Sequence, residues 1–428
     1  MCYLCRVNID YMIKHYQILL TYSLLILLML VSSCGEDRWL EYKPQTEVNE
    51  WIDNVLRKNY LWVASMPSES KVNYFDTQSA FLTSVLSSDD KVTHLDSVPN
   101  VKNTYGITAS FYVSADNDTV FNAVITYVCS DSPAARAGLK RGDWIMKVGG
   151  NNITSSNKST ILVSGSATTV NLGEYTAITT DGTTSYKVIS SGKVVNLEAS
   201  GNVSDHPVNY YTTLTVGTKK IGYLVYSSFN PGSNNEYDNE LRKAFTSFKS
   251  DAVSDIILDL RYNKGGEISS AQLLATMLIP SEKMGSTFVK LIHNTEQSSM
   301  DTTYTFNKDL IGSGANLNLS RVYVITTSTT AQMSELLLAA LVPYMNVYTI
   351  GGTTAGYMGV TKKFTTSGLP YEFNPVTSIG SNASDMTYST SGITASTTSS
   401  DASDLNTLLT FGNQKETMLA ATLALITK

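Results

Sequence analysis

Histidine is scarce in this chain: His15, His94, His206 and His293 are all there are in 428 residues. The last three are far apart and in no ligand spacing, so neither a metal site nor a Ser-His-Asp triad has support. No Walker-type phosphate loop occurs, and no G-x-G-x-x-G follows a strand, so no nucleotide cofactor is expected. Basic runs are missing too. With 31 Lys and Arg against 37 Asp and Glu, the net charge is −6 and nothing gathers the cations that neutralise phosphates, which excludes nucleic acid as a partner. Long hydrophobic runs are also lacking: the apolar stretch Ile18 to Val31 is shorter than the roughly 20 residues a membrane span needs.

What is present begins with that stretch. Lys14 and His15 precede it, as in a targeting segment, and Val31-Ser32-Ser33-Cys34 resembles a bacterial lipobox, in which Cys34 is lipidated and becomes the mature N-terminus. Met12 is an alternative start. Gly35-Glu36-Asp37 resembles the surface-export signals of some Gram-negative lipoproteins, so the expected location is the cell envelope, facing the periplasm or the outside. Cys2 and Cys5 fall before the cleavage point, which leaves Cys129 as the one free thiol, in an apolar strand and within a core; no intrachain disulfide is expected. With 42% hydrophobic and 16% charged residues, the remainder is an ordinary globular chain long enough for two or three domains.

Taken in order, Trp51, Val55, Leu56 and Tyr60 form a helical stripe, and Phe81, Leu82 and Val85 form a second within Asp76 to Ser87. Strands are expected around Phe111 to Val113 and Val120 to Val128. Val170 to Leu197 alternates apolar and polar residues, with Asp181-Gly182 and Ser191-Gly192 as turn signals. From Lys219 the pattern changes to strand (Lys220 to Val225), helix (Asn239 to Phe248), buried strand (Asp255 to Leu260) and helix (Ser269 to Leu278), which implies a largely parallel sheet. A further strand, helix and strand follow at Arg321 to Thr326, Ala331 to Tyr344 and Asn346 to Ile350. Thr365 to Asp404, rich in Ser, Thr and Gly, reads as loops and edge strands, with weak strand signals at Tyr371 to Phe373 and Met386 to Tyr388. Glu416 to Ile426 closes the chain as an amphipathic helix.

Three phrases carry a family resemblance. Ser132 to Ile145, SPAARAGLKRGDWI, is similar to the PDZ pattern in which a short helix ends at glycine and a Gly-Asp turn starts a strand. Asp259 to Gly266, DLRYNKGG, and Thr330 to Glu335, TAQMSE, followed by Thr354-Ala355-Gly356-Tyr357, resemble the carboxy-terminal processing peptidases, also called tail-specific proteases. The resemblance runs from about Val48 to the end. It implies a serine nucleophile three residues before the glutamate and a lysine general base after T-x-G. Here those positions hold Gln332 and Tyr357. A serine–lysine dyad works because a desolvated lysine accepts the hydroxyl proton during attack on a carbonyl; a carboxamide offers no such nucleophile, and a phenol with a usual pKa of about 10 stays protonated at neutral pH. Ser334 lies two positions on, a helical rotation of roughly 200° away. Ser328, Thr329, Thr330, Lys362 and Lys363 are the other nearby candidates.

Two further sites follow from the resemblance. Gly265 and Gly266 would supply oxyanion-type backbone donors, although a tight turn needing glycine explains them as well. Backbone N–H groups at Tyr105-Gly106-Ile107 would receive a peptide's C-terminal carboxylate, or form only a domain junction. The implied architecture is multi-domain α+β: a lipoprotein signal peptide (1–33), a linker (34–47), an N-terminal helical region (48–98), a PDZ-like β-rich domain (99–205) and an α/β protease core of ClpP/crotonase-like type (206–428). The implied function is binding of C-terminal or unfolded peptide tails of envelope proteins with hydrolysis lost. An active serine endopeptidase with relocated residues and a structural envelope lipoprotein are the alternatives. Peptide or protein tails and the membrane, through Cys34, are the expected partners.

Overall fold

A computed structural model describes Tyr16 and residues 39–98, 103–357, 359–387 and 390–428. The expected leader and the lipidation expected at Cys34 lie outside the described residues, and no helix among those described is long and apolar enough to cross a membrane. The chain divides into two compact units, one reaching to Asn54 and including Pro67–Val85, the other made of Val55–Met66 and Leu86–Lys428.

Helix α1 (Trp39–Asn59) and helix α2 (Gln78–Val85) carry the two apolar stripes. In the first unit the Asn49 carboxamide donates to the Tyr74 and Asp76 carbonyls, and the Tyr74 ring stacks on Phe81 at 5.7 Å. At the start of helix α2 the Thr77 hydroxyl accepts from Ala80 N.

The second unit holds two modules. In the PDZ module, β1 (Ile107–Ser114), β2 (Asn117–Val128), the short helix α3 (Pro133–Arg136), β3 (Trp144–Val148), β4 (Asn151–Thr154), β5 (Thr168–Thr180) and β6 (Thr183–Leu197) form a sheet in the order β1-β2-β4-β3-β5-β6. Strand β1 is therefore an edge. Ser132 Oγ accepts from Ala135 N and caps α3, and Asp181-Gly182, both at positive φ, turn the β5–β6 hairpin as expected. Ser191-Gly192 is not a turn. It lies inside β6, where residues 191–193 bulge opposite Leu172, and the positive φ of Gly192 absorbs the kink. Cys129 is also displaced from its expected place: it follows β2 rather than lying within it, and is only half-buried.

The core module is a sheet of β7 (Val208–Val216), β8 (Lys219–Tyr226), β9 (Asp255–Asp259), β12 (Arg321–Thr326), β13 (Asn346–Gly351) and β16 (Thr397–Thr398), parallel from β8 onward. Helices α4 (Glu236–Ser250), α5 (Ile268–Leu278) and α6 (Met333–Leu341) pack on one face, around Phe245, Leu258, Leu274 and Leu337; α7 (Thr417–Ile426) packs on the other, around Ile257, Ile325 and Leu419. A second sheet orders β11 (Thr302–Thr305), β10 (Thr287–His293), β15 (Val376–Ser381) and β14 (Val360–Thr361). Strand β15 corrects the loop expectation for this region. It is buried and central, and Gly380 lets the Leu336 side chain approach its backbone closely, which a Cβ would block at 2.5 Å.

Candidate active site

The segment after β9 and the segment before α6 are brought together by Asn263. Its side chain donates to the Tyr226 carbonyl and accepts from Gly265 N at 2.9 Å, while its own carbonyl accepts from Ala331 N and from Ser334 Oγ. The loop that follows needs glycine: Gly265 and Gly266 have φ of +112° and +134°, and a Cβ on Gly266 would lie 2.3 Å from the Phe229 carbonyl. Of the two expected donors, the Gly265 N–H is thus already spent within the loop.

Gln332 stands immediately before α6 with φ 51° and ψ −110°, a conformation that costs a non-glycine residue about 1–3 kcal/mol. It is 9% exposed, and its carboxamide lies against Gly265: a Cβ built there would come within 2.5 Å of Gln332 Oε1. The carboxamide nitrogen reaches Thr361 Oγ1 at 3.5 Å.

The fully buried Glu335 holds this geometry. Its carboxylate accepts from Gln332 N at 3.0 Å, from Thr354 Oγ1 at 2.5 Å, from Gly356 N at 2.7 Å and from Tyr357 N at 3.0 Å. One carboxylate therefore ties together the backbones of Gln332 and Tyr357, which lie 25 residues apart in sequence (357 − 332). Burial pushes the Glu335 pKa up, and those four donors pull against it. The Tyr357 ring itself is 39% exposed. The two residues tied in this way carry a carboxamide and a phenol.

Four of the other candidates are already engaged, whereas Ser328 and Thr329 line the neighbouring cleft. Ser334 is fully buried with its hydroxyl on Asn263 O at 3.3 Å, Thr330 Oγ1 donates to Leu260 O, Lys362 sits over the Phe364 ring at 5.8 Å, and Lys363 pairs with Glu372 at 3.0 Å. In the PDZ loop, Tyr105 N donates to Val163 O and Gly106 N to Thr104 Oγ1, while Ile107 pairs with Val128.

A cleft of about 550 Å³ opens beside the motif rather than on it, since neither Gln332 nor Tyr357 lines it. One wall is the PDZ strand β1 through Thr108, Ser110 and Tyr112; the other is the core through Lys264 and Thr327 to Thr329. Two carboxylates border it. Asp205 is pushed up by burial, and accepts from Tyr127 OH, Ser130 N and Ser227 Oγ. Burial acts on Asp401 in the same sense, but Arg261 at 2.7 Å and Arg141 at 2.8 Å outweigh it and hold its carboxyl below the usual range.

Those arginines belong to a buried ionic network that pattern reading missed. Arg141, from the PDZ turn, donates to Glu416 at 3.0 Å, to Thr126 O and to Leu409 O; Arg261 forks onto Asp259 at 2.9 and 2.7 Å and onto Glu416 at 2.8 Å. Leu405 and Leu408, from the segment beyond Asp401, pack on Val124 and Trp144 of the PDZ sheet. The PDZ module is thereby seated on the core by charge and by apolar contact.

Comparison with known proteins gives one consistent pattern. Models for "Peptidase family S41", "Peptidase S41 N-terminal domain" and "PDZ domain" match residues 220–377, 47–103 and 124–161. A crystal structure of a Bacteroides fragilis NCTC 9343 protein assigned to the S41 proteases aligns with a TM-score of 0.83 at 37% identity, covering 88% of this chain and 97% of that one. Proteins named CtpA-like serine proteases from Staphylococcus aureus strains COL and N315 are 24% and 25% identical over 233 and 235 residues. Those matches cover 54% of this chain and 41% of each relative, so the chain spans less than half the length of those two proteins.

Proposed function

This chain belongs to peptidase family S41, and from that premise we propose that it keeps a peptide-binding architecture and has lost hydrolysis. It binds C-terminal or unfolded peptide tails of envelope proteins. The observation that carries this reading is Gln332: a glutamine held in strained backbone geometry before α6, tied by Glu335 to Tyr357. Losing a nucleophile lowers turnover by about a million-fold.

The enzymatic alternative needs a hydroxyl beside a desolvated amine. Ser328 and Lys264 line the same cleft, but Lys264 is exposed rather than desolvated. Gly265 and Gly266 then act as a tight loop, and a bound tail extends strand β1 from the Tyr105 to Ile107 side. The protein is held at the cell envelope by lipid on Cys34, within the domain boundaries given above.

The test is retention of an unfolded, C-terminally tailed reporter by the immobilised chain. Retention of intact reporter supports the reading. Release of shortened reporter contradicts it, and no retention returns the protein to a structural envelope role. For the anchor, Cys34→Ala moves the protein from the membrane to the soluble fraction; an unchanged distribution removes the lipid from the account.

A further inference from the structure

Resting on that tail-binding reading, we propose that Lys264 receives the C-terminal carboxylate of the bound tail, in the cleft between strand β1 and the Thr327 to Thr329 turn. A carboxylate entering this unit needs donors that are not already engaged. At the loop before β1, Tyr105 N is bonded to Val163 O and Gly106 N to Thr104 Oγ1, so admitting an anion there breaks existing bonds.

The cleft offers the opposite situation. Lys264 is the one cation among its lining residues, is exposed, and has no carboxylate partner among the described residues. The two acids that share the wall do not compete for it. Asp401 is paired with Arg261 and Arg141 and accepts from Tyr262 OH, and Asp205 accepts from Tyr127, Ser130 and Ser227. Ser328 adds an exposed hydroxyl on the same side. The occupant this suits is an extended peptide. Its backbone finds the unpaired edge of β1, whose residues Thr108 and Ser110 line the cleft, and its negative end finds the unpaired ammonium.

The experiment uses two fluorescein-labelled peptide pools with randomised C-terminal residues, identical except that one ends in a free carboxylate and the other in an amide. Anisotropy measures their affinity for the purified chain, for Lys264→Gln, and for Lys140→Gln as a control outside the cleft. The unmodified chain and the control prefer the free acid by about tenfold, the size of one charge-assisted contact. Lys264→Gln reduces that ratio to about one by weakening the acid alone. Tail binding with an acid preference that survives Lys264→Gln, or with no acid preference in the unmodified chain, overturns the assignment while leaving the tail-binding reading intact. Failure of the unmodified chain to bind either pool overturns both.

Discussion

Gln332 permits a test in which glycine and alanine exchange their usual order. Its φ of 51° and ψ of −110° lie where an L residue is strained by about 1–3 kcal/mol and glycine is not. Gln332→Ala and Gln332→Gly both remove the carboxamide's contact with Gly265 and the long bond to Thr361, so the two variants differ in backbone freedom and in the one Cβ that lies against Gly265. In an ordinary site glycine is the less stable by about 1 kcal/mol, because the unfolded chain gains freedom. Here strain relief of about 1–3 kcal/mol offsets that, and Gln332→Gly is more stable than Gln332→Ala by up to about 2 kcal/mol. Urea unfolding with unchanged slope measures the difference. An alanine variant as stable as the glycine variant, or more so, shows that the segment before α6 stores no strain and refutes the reasoning.

Three other perturbations follow from the geometry. Glu416→Ala leaves Arg141 and Arg261 buried with one acceptor fewer and costs about 3–5 kcal/mol, read as a drop in thermal midpoint; a loss under 1 kcal/mol denies the network its role. The Cys129 thiol is pushed up to about 12 by burial and by Asp205, so at pH 8 it reacts with a disulfide reagent at least 100-fold more slowly in the native chain than in urea; similar rates contradict its environment. Glu335 has a folded pKa raised by burial, so its contribution to stability is present below its unfolded value and is lost as pH rises through the folded one. The stability of the native chain relative to Glu335→Gln therefore falls as pH rises above the unfolded carboxyl value of about 4, and a difference that grows instead reverses the sign of the shift.

What the sequence makes legible is what short-range pattern determines. The β12–α6–β13 unit, the α3 cap with its following turn, and the Asp181-Gly182 hairpin each depend on residues a few positions apart. Strand β15 escaped because Val376 to Ser381 sits in Ser/Thr-rich surroundings, and its burial comes from β10 and β14 rather than from its own alternation. Ser191-Gly192 misled because a bulge and a turn both ask glycine for positive φ. At the site, Gln332 and Tyr357 were placed by motif spacing, but the role of Glu335 became visible only with its four donors around it. The pairing of Arg141 with Glu416 spans 275 residues, beyond any local pattern.

The central claim is that hydrolysis was lost at Gln332 and Tyr357. Cleavage of an unfolded, C-terminally tailed reporter, measured side by side for the purified chain and the Gln332→Ser, Tyr357→Lys double variant, tests it most directly. The account predicts no cleavage by the unmodified chain and measurable turnover by the double variant. Cleavage by the unmodified chain contradicts it and moves the chemistry to Ser328 and Lys264, the hydroxyl and amine that share the cleft.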